Sequence, residues 1–215
     1  MLMRSMKPEI MDDPTLDAGV TRQFHRDLGR IHRMTGNWNA IIERLQVDPG
    51  IRSLMDVGCG QGELLGHVRE KLRIFELIGV DLVVSHPRCD EIPVMRADAT
   101  RDPLPRADAA VSVVVLHHLT DEQVVDMIRN VGRYVKRFIC LDLVRHPLPL
   151  LMFSLFICPF VKRIAAVDGR QSIRRSFRPD ELRALVHRAT DGTGATFDHW
   201  VSPYFAKQII DIRWQ

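Results

Sequence analysis

The sequence predicts an α/β fold built on a doubly wound, mostly parallel sheet of seven strands with an antiparallel hairpin at one edge. Three observations lead there. From Arg52 onward, short apolar runs alternate with segments of helical spacing, the rhythm of strands whose crossovers cover both faces of a sheet. A glycine-rich turn, Gly58 to Gly62, joins the first run to the first of those helices. The last two runs, 196–201 and 206–213, lie close enough together to form an antiparallel hairpin.

Each element follows from its residues. Segments 21–34 and 38–45 carry apolar residues at helical spacing, separated by Thr35-Gly36-Asn37 and closed by Asp48-Pro49-Gly50. Residues 1–50 therefore read as an N-terminal helical cap, and 51–215 as the main domain with an insert at 146–176, one compact unit overall. Within that domain SLMDVG reads as a strand, 62–71 as a helix and 77–80 as a strand. A short broken segment containing His86-Pro87 leads to strands at 92–96 and 108–115, a helix at 121–131 and a strand at 137–143. Pro179 suits the first turn of a last helix, 179–189.

Composition narrows the function classes. The 215 residues are 46% hydrophobic and 27% charged, as in one globular domain. A net charge of +3 is well short of the dense basic footprint of a dedicated nucleic-acid binder, so no nucleic-acid partner is expected. Cys59, Cys89, Cys140 and Cys158 are scattered without metal spacing and read as reduced thiols of a cytoplasmic protein. The N-terminus MLMRSMKPEIMDD has no apolar core of a secretory signal. His25 and His32 share one helix face but lack a third ligand, so no metal is expected.

The stretch MDVGCGQGE carries the chemistry. A glycine turn between strand and helix lets a ligand approach the backbone closely. A dinucleotide fingerprint would need glycine at position 63, where Glu63 stands. The pattern present is DxGxGxG: Asp56, Gly58, Gly60 and Gly62. It resembles motif I of class I S-adenosylmethionine-dependent methyltransferases, and the resemblance continues down the chain. Asp81, in GVDLV, ends the second strand 19 residues after Gly62. Asp98-Ala99 follows the third strand, and ADAAVSVVVLHHLTDE matches the fourth-strand motif.

The resemblance implies a Rossmann-like fold, S-adenosyl-L-methionine as cofactor, and a set of contacts. Asp56, Gly58, Cys59, Gly60 and Gly62 would surround its methionine end, with Val115 beside the methyl. Asp81 and Leu82 would meet the ribose, and Asp98 and Ala99 the adenine. The chemistry agrees: the cofactor is a sulfonium with an ammonium and no phosphate, so an acid before the glycines helps, whereas a pyrophosphate wants bare N–H groups. A strand-end aspartate can accept both ribose hydroxyls.

His117 and His118 follow the fourth strand, the end that faces the methyl in this family, and histidine titrates in a useful range for a base. His117 is the stronger candidate. Asp142 and His146 flank the end of the fifth strand. The [DN]PP[YF] motif of amino-directed enzymes is absent; Leu116-His117-His118-Leu119 stands in its place.

From Leu148 to Val161 the chain carries no charge. At 14 residues it is shorter than the roughly 20 a membrane span needs. Its stripe of Leu148, Leu151, Met152, Leu155, Phe156 and Phe160 suits a lid over a hydrophobic acceptor. His146, Met152, Leu155, Phe156 and Trp38 are thus the expected substrate contacts. A membrane-surface helix beside Arg163, Arg174 and Arg175, giving peripheral membrane contact, is the alternative, and a plain core helix the third. The neighbourhood is similar to a bacterial subgroup associated with secondary metabolism. The expected reaction is O-methylation of a hydrophobic small molecule at a phenolic or polyketide-type hydroxyl. C- or carboxyl-methylation of a lipid-like acceptor, or a non-catalytic cofactor-binding subunit, are the alternatives, with an RNA methyltransferase third. Oligomeric state is left open.

Overall fold

A computed structural model describes residues 3–13, 15–74, 76–83 and 92–215; His86-Pro87 and Cys89 lie outside the described residues. Strands β1 (Ser53–Val57), β2 (Glu76–Asp81), β3 (Val94–Arg96), β4 (Ala109–Val113), β5 (Arg137–Leu143), β6 (Thr196–Val201) and β7 (Lys207–Arg213) form one sheet in the order β3-β2-β1-β4-β5-β7-β6. The pairs among β1 to β5 are parallel, and β7 runs antiparallel between β5 and β6. The expected seven-stranded sheet with its antiparallel edge is present. The strand order reverses between β1 and β4, which opens a crevice at their carboxyl ends.

Neighbouring residues on each central strand point to opposite faces, and both faces are covered. Leu54, Val111, Ile139 and Ile209 pack with α2 (Asn37–Gln46) and α3 (Glu63–Lys71) on one side. Met55, Ala110, Phe138 and Ile210 pack with α4 (Asp121–Val131) and α7 (Pro179–Thr190) on the other. Burial on both sides is why these strands read as unbroken apolar runs. At the foot of the sheet Arg137 grips Asp211 through Nε and Nη2, at 2.9 and 2.6 Å, tying β5 to β7.

Local caps set the ends. Asp17 accepts from the amides of Gly19 and Val20 to start α1 (Ala18–Thr35), and Gly36, at φ 66°, both stops α1 and launches α2. Thr120 and Gln123 form a reciprocal capping box on α4. Two elements differ from expectation. Strand β4 ends at Val113, because Val114 adopts φ 61° and turns the chain sharply. Helix α6 (Arg163–Arg175) has no counterpart among the expected elements. It follows α5 (Pro147–Phe156) and a 3-10 turn, Cys158–Phe160.

Candidate active site

The cavity at the switch point has a volume of about 240 Å³. Its floor is Asp56, Gly58, Cys59 and Gly60, and one wall is Val113, Val114, Val115, His117 and His118. Gly58 must be glycine: at φ +77° a Cβ would lie 2.5 Å from Val115 Cγ2. Gly60, at φ +55°, differs in kind, since a Cβ there would meet nothing within 4 Å. The space above its backbone belongs to the cavity.

Two carboxylates serve the glycine turn. Asp81 Oδ2 accepts from the Gly60 amide at 2.8 Å and Oδ1 from the Val83 amide at 3.0 Å. Asp56 is 3% exposed, and burial, then repulsion from Asp81, pushes its pKa up to about 8. Such a carboxyl stays protonated until a cation arrives to favour its charge. The turn thus offers open backbone and acidic groups, a donor set that fits a cationic cofactor and does not fit a pyrophosphate. Gly62 and Asp81 support this turn, while Leu82, Asp98 and Ala99 lie outside the cavity lining. Asp98 folds back on its own loop, accepting from Thr100 Oγ1 at 2.6 Å and pairing with Arg101 at 3.0 Å.

The side of the cavity away from the glycine turn is built around His117. The strained Val114 and the 3-10 turn Leu116–His118 swing its ring into the cavity. Ring Nδ1 meets Asp142 Oδ1 at 2.9 Å, and the His117 amide donates to Oδ2 at 2.8 Å. Asp142, placed beside the pocket by the sequence, thereby fixes both the ring and its tautomer. Nε2 has no hydrogen-bond partner although the residue is only 2% exposed. Its nearest ionic neighbour is Glu9 Oε1, at 3.5 Å. Burial alone would lower the pKa of His117, but Asp142 and then Glu9 outweigh it and raise the value to about 9. His118 lies nearer solvent, ring to ring with His117 at 4.2 Å, and 3.5 Å from Asp12.

Glu9 and Asp12 come from an N-terminal strap that the sequence reading passed over. The amides of Ile10 and Met11 donate to the buried carboxylate of Asp168 on α6, at 2.9 and 3.0 Å. Ser172, one turn further along, donates to Glu9 at 2.9 Å. Arg175, named above beside the membrane-surface alternative, is buried and occupied. It donates to the carbonyls of His117 and His118, at 3.3 Å each, and to Asp12 at 2.8 Å. The only sequence signal for the strap is the Glu9-x-x-Asp12 spacing in an otherwise unpatterned terminus. Glu9, His117 and His118 bring a carboxylate oxygen and two ring nitrogens within 4.8 Å of one another, the group among the described residues that could hold a metal ion.

Much of the remaining lining is apolar, with Phe24, Leu28 and Ile31 of α1, Phe153 of α5, and Ala165 and Ile173 of α6, but His25, Thr35, Asn37, Gln61 and Glu63 also reach it. Trp38 lines it as expected, stacked on buried His32 with centroids 5.5 Å apart. The expected stripe of α5 does not. Leu155 and Phe156 point outward at 58% and 62% exposure, and His146 and Met152 lie outside the cavity lining. The reason lies in α5 being apolar all round, so that its periodicity does not say which face turns in. Gly169 of α6 decides it: the Phe153 ring occupies the space where a side chain at 169 would stand.

A doubly wound sheet with a cation-suited glycine turn at its switch point and a buried histidine–carboxylate pair opposite defines the class I S-adenosylmethionine-dependent methyltransferases. More narrowly, the chain belongs to the O-methyltransferase domain family, whose model matches residues 10–138. S-adenosylmethionine is accordingly its cofactor. No curated protein matches the chain. Among solved structures, the plantazolicin methyltransferase BpumL, in complex with a triazolic desmethylPZN analog and SAH, is 12% identical with a TM-score of 0.72, over 93% of this chain and 92% of that one. The methyltransferase domain of bacterial CtHen1 is 13% identical with a TM-score of 0.64, over 82% of this chain and 97% of that one. The small RNA methyltransferase HEN1 is 15% identical with a TM-score of 0.63, over 85% of this chain and 25% of that one.

Proposed function

We propose that this chain methylates a hydroxyl oxygen of a hydrophobic small molecule, with His117 as the base. The observation that carries the reading is the unpartnered Nε2 of a buried His117 whose other nitrogen is engaged by Asp142. The cofactor supplies an electrophilic methyl on a sulfonium, and the protein's task is to present a nucleophilic oxygen in line with it. With Nδ1–H donated to Asp142, Nε2 carries the lone pair and receives the acceptor's proton. A base with a pKa near 9 is well matched to a phenol-type hydroxyl, whose own value is about 10. Once protonated, the imidazolium is held between Asp142 and Glu9. Asp56 and Asp81 hold the cationic and ribose ends of the cofactor, the strap and α6 exclude water, and the apolar wall of α1, α5 and α6 receives the acceptor's body. Residues 1–50 and the 146–176 insert act as the acceptor-side elements over one sheet.

The solved relatives differ in acceptor, plantazolicin in one and small RNA in another, so the acceptor is read from this cavity. Its mostly apolar lining and the chain's weak net charge favour an uncharged, greasy ligand. The experiment is transfer of isotopically labelled methyl from S-adenosylmethionine to a panel of alkylphenols, hydroxyquinones, fatty acids and short RNAs. Label on oxygen of a phenol or enol is expected. Label on carbon, on a carboxylate or on RNA ribose would replace this reading.

A further inference from the structure

The outward face of α5 remains unexplained by methyl transfer. Leu151, Leu155, Phe156 and Phe160 are exposed at 56–62%. Tyr204 and Phe205, exposed at 66% and 43%, lie in a turn that packs on α5, with His146 stacked on Phe205 at 4.6 Å. Both turn residues hold positive φ, 60° and 56°, a strained conformation for aromatic side chains. Four large exposed apolar groups within the ten residues 151–160 exceed the scattered singles normal on a protein surface and mark a contact site.

Its charge surroundings name the partner. Lys162 and Arg163 follow Phe160 after a single residue, Val161, and are exposed. Arg30 of α1 donates to the Phe160 carbonyl at 3.1 Å with its side chain half exposed. From residue 18 to 35 the only acid is Asp27, fully buried and accepting from Arg30 and the Lys162 amide, and from 143 to 167 there is none. The solvent-facing charges within α1 and the α5–α6 junction are therefore basic, and the exposed acid beside them is Asp17, the cap of α1, which shares a cavity with Lys162. We infer that this face is a docking surface for an anionic lipid bilayer, with the aromatic and leucine side chains entering the interface and Lys162, Arg163 and Arg30 meeting headgroups. A second copy of the chain is the poorer partner, because a two-fold contact would set these cations against themselves. No described helix is long and apolar enough to cross a membrane, so the contact is peripheral. The same helix turns Phe153 into the active-site cavity, and a second cavity beside Lys162 shares Phe24 and Ala165 with the first.

Flotation of the full chain with phosphatidylglycerol-containing and pure phosphatidylcholine vesicles tests this independently of any acceptor. The wild type should float with anionic vesicles at low salt, at least about tenfold more than with neutral ones, and release in high salt. Paired Leu151→Ser and Phe160→Ser substitutions should abolish flotation, and Lys162→Ser with Arg163→Ser should weaken it. The melting temperature and S-adenosylhomocysteine affinity of these variants should stay at wild-type values, since the changed side chains are exposed. Wild type that stays unbound with both vesicle types would overturn the inference. So would flotation unaffected by the apolar pair, or a wild-type dimer that these substitutions make monomeric.

Discussion

Asp56 and His117 are two residues whose protonation the fold shifts strongly, and each makes a separate prediction. Asp56 holds its proton to about pH 8, whereas an unfolded aspartate loses it near 4. The native state therefore binds more protons between those values, and Asp56's contribution to stability falls as pH rises through that window. A cationic cofactor needs the ionised form, so affinity for S-adenosylmethionine should rise with pH between 6 and 8, by at most about tenfold per unit. Calorimetry in buffers of different ionisation enthalpy should show proton release on binding. Asp56→Asn should remove both the release and the slope; a slope that survives would place the titrating group elsewhere. His117 keeps its proton to about 9, so turnover should climb toward that pH. Asp142→Asn removes the principal neighbour that raises this value. It should cut turnover on the order of 10²-fold or more and move the inflection of the pH profile to lower pH. A lower rate with an unmoved inflection would mean that Asp142 only packs the ring.

Between elements, the notable construction is the strap clamped on α6. Asp168 holds the strap's amides, Ser172 holds Glu9, and Arg175 reaches across to the carbonyls of the histidine pair, so one helix aligns both halves of the acceptor end. Replacing Asp168 by alanine leaves two amides without their acceptor, a cost of about 1–3 kcal/mol. Hydrogen exchange at Ile10 and Met11 should then quicken, and the pH inflection of turnover should fall as Glu9 withdraws from His117. Unchanged protection of those amides would mean that other contacts fix the strap. This construction was not legible in the sequence. Glu9 and His117 are more than a hundred positions apart, and an acid in an unpatterned terminus carries no periodic signal. Helix α5 failed differently: its apolar stripe was seen, but a helix greasy on every side does not show which side is inward, and a single glycine on α6 chose Phe153.

Across the whole molecule, the sheet could be read almost strand for strand, because burial on both faces writes each central strand as a continuous apolar run bounded by turn residues. The glycine turn was legible in part for a related reason: a side chain at Gly58 would meet Val115, so packing imposes the first glycine, while Gly60 and Gly62 hold positive φ with open space around them. Apart from Trp38, the acceptor side was legible where it grows from a strand end, as His117 and Asp142 do from β4 and β5. What arrives from the terminus and the insert depends on tertiary contacts that leave no local pattern. The central claim is that the sheet places a histidine base opposite a bound methyl donor. The most direct test is single-turnover methyl transfer by His117→Ala beside the wild type, with S-adenosylhomocysteine affinity measured on both. A drop of about 10²–10⁴-fold in the transfer rate with affinity unchanged is expected. Transfer at the wild-type rate would contradict it.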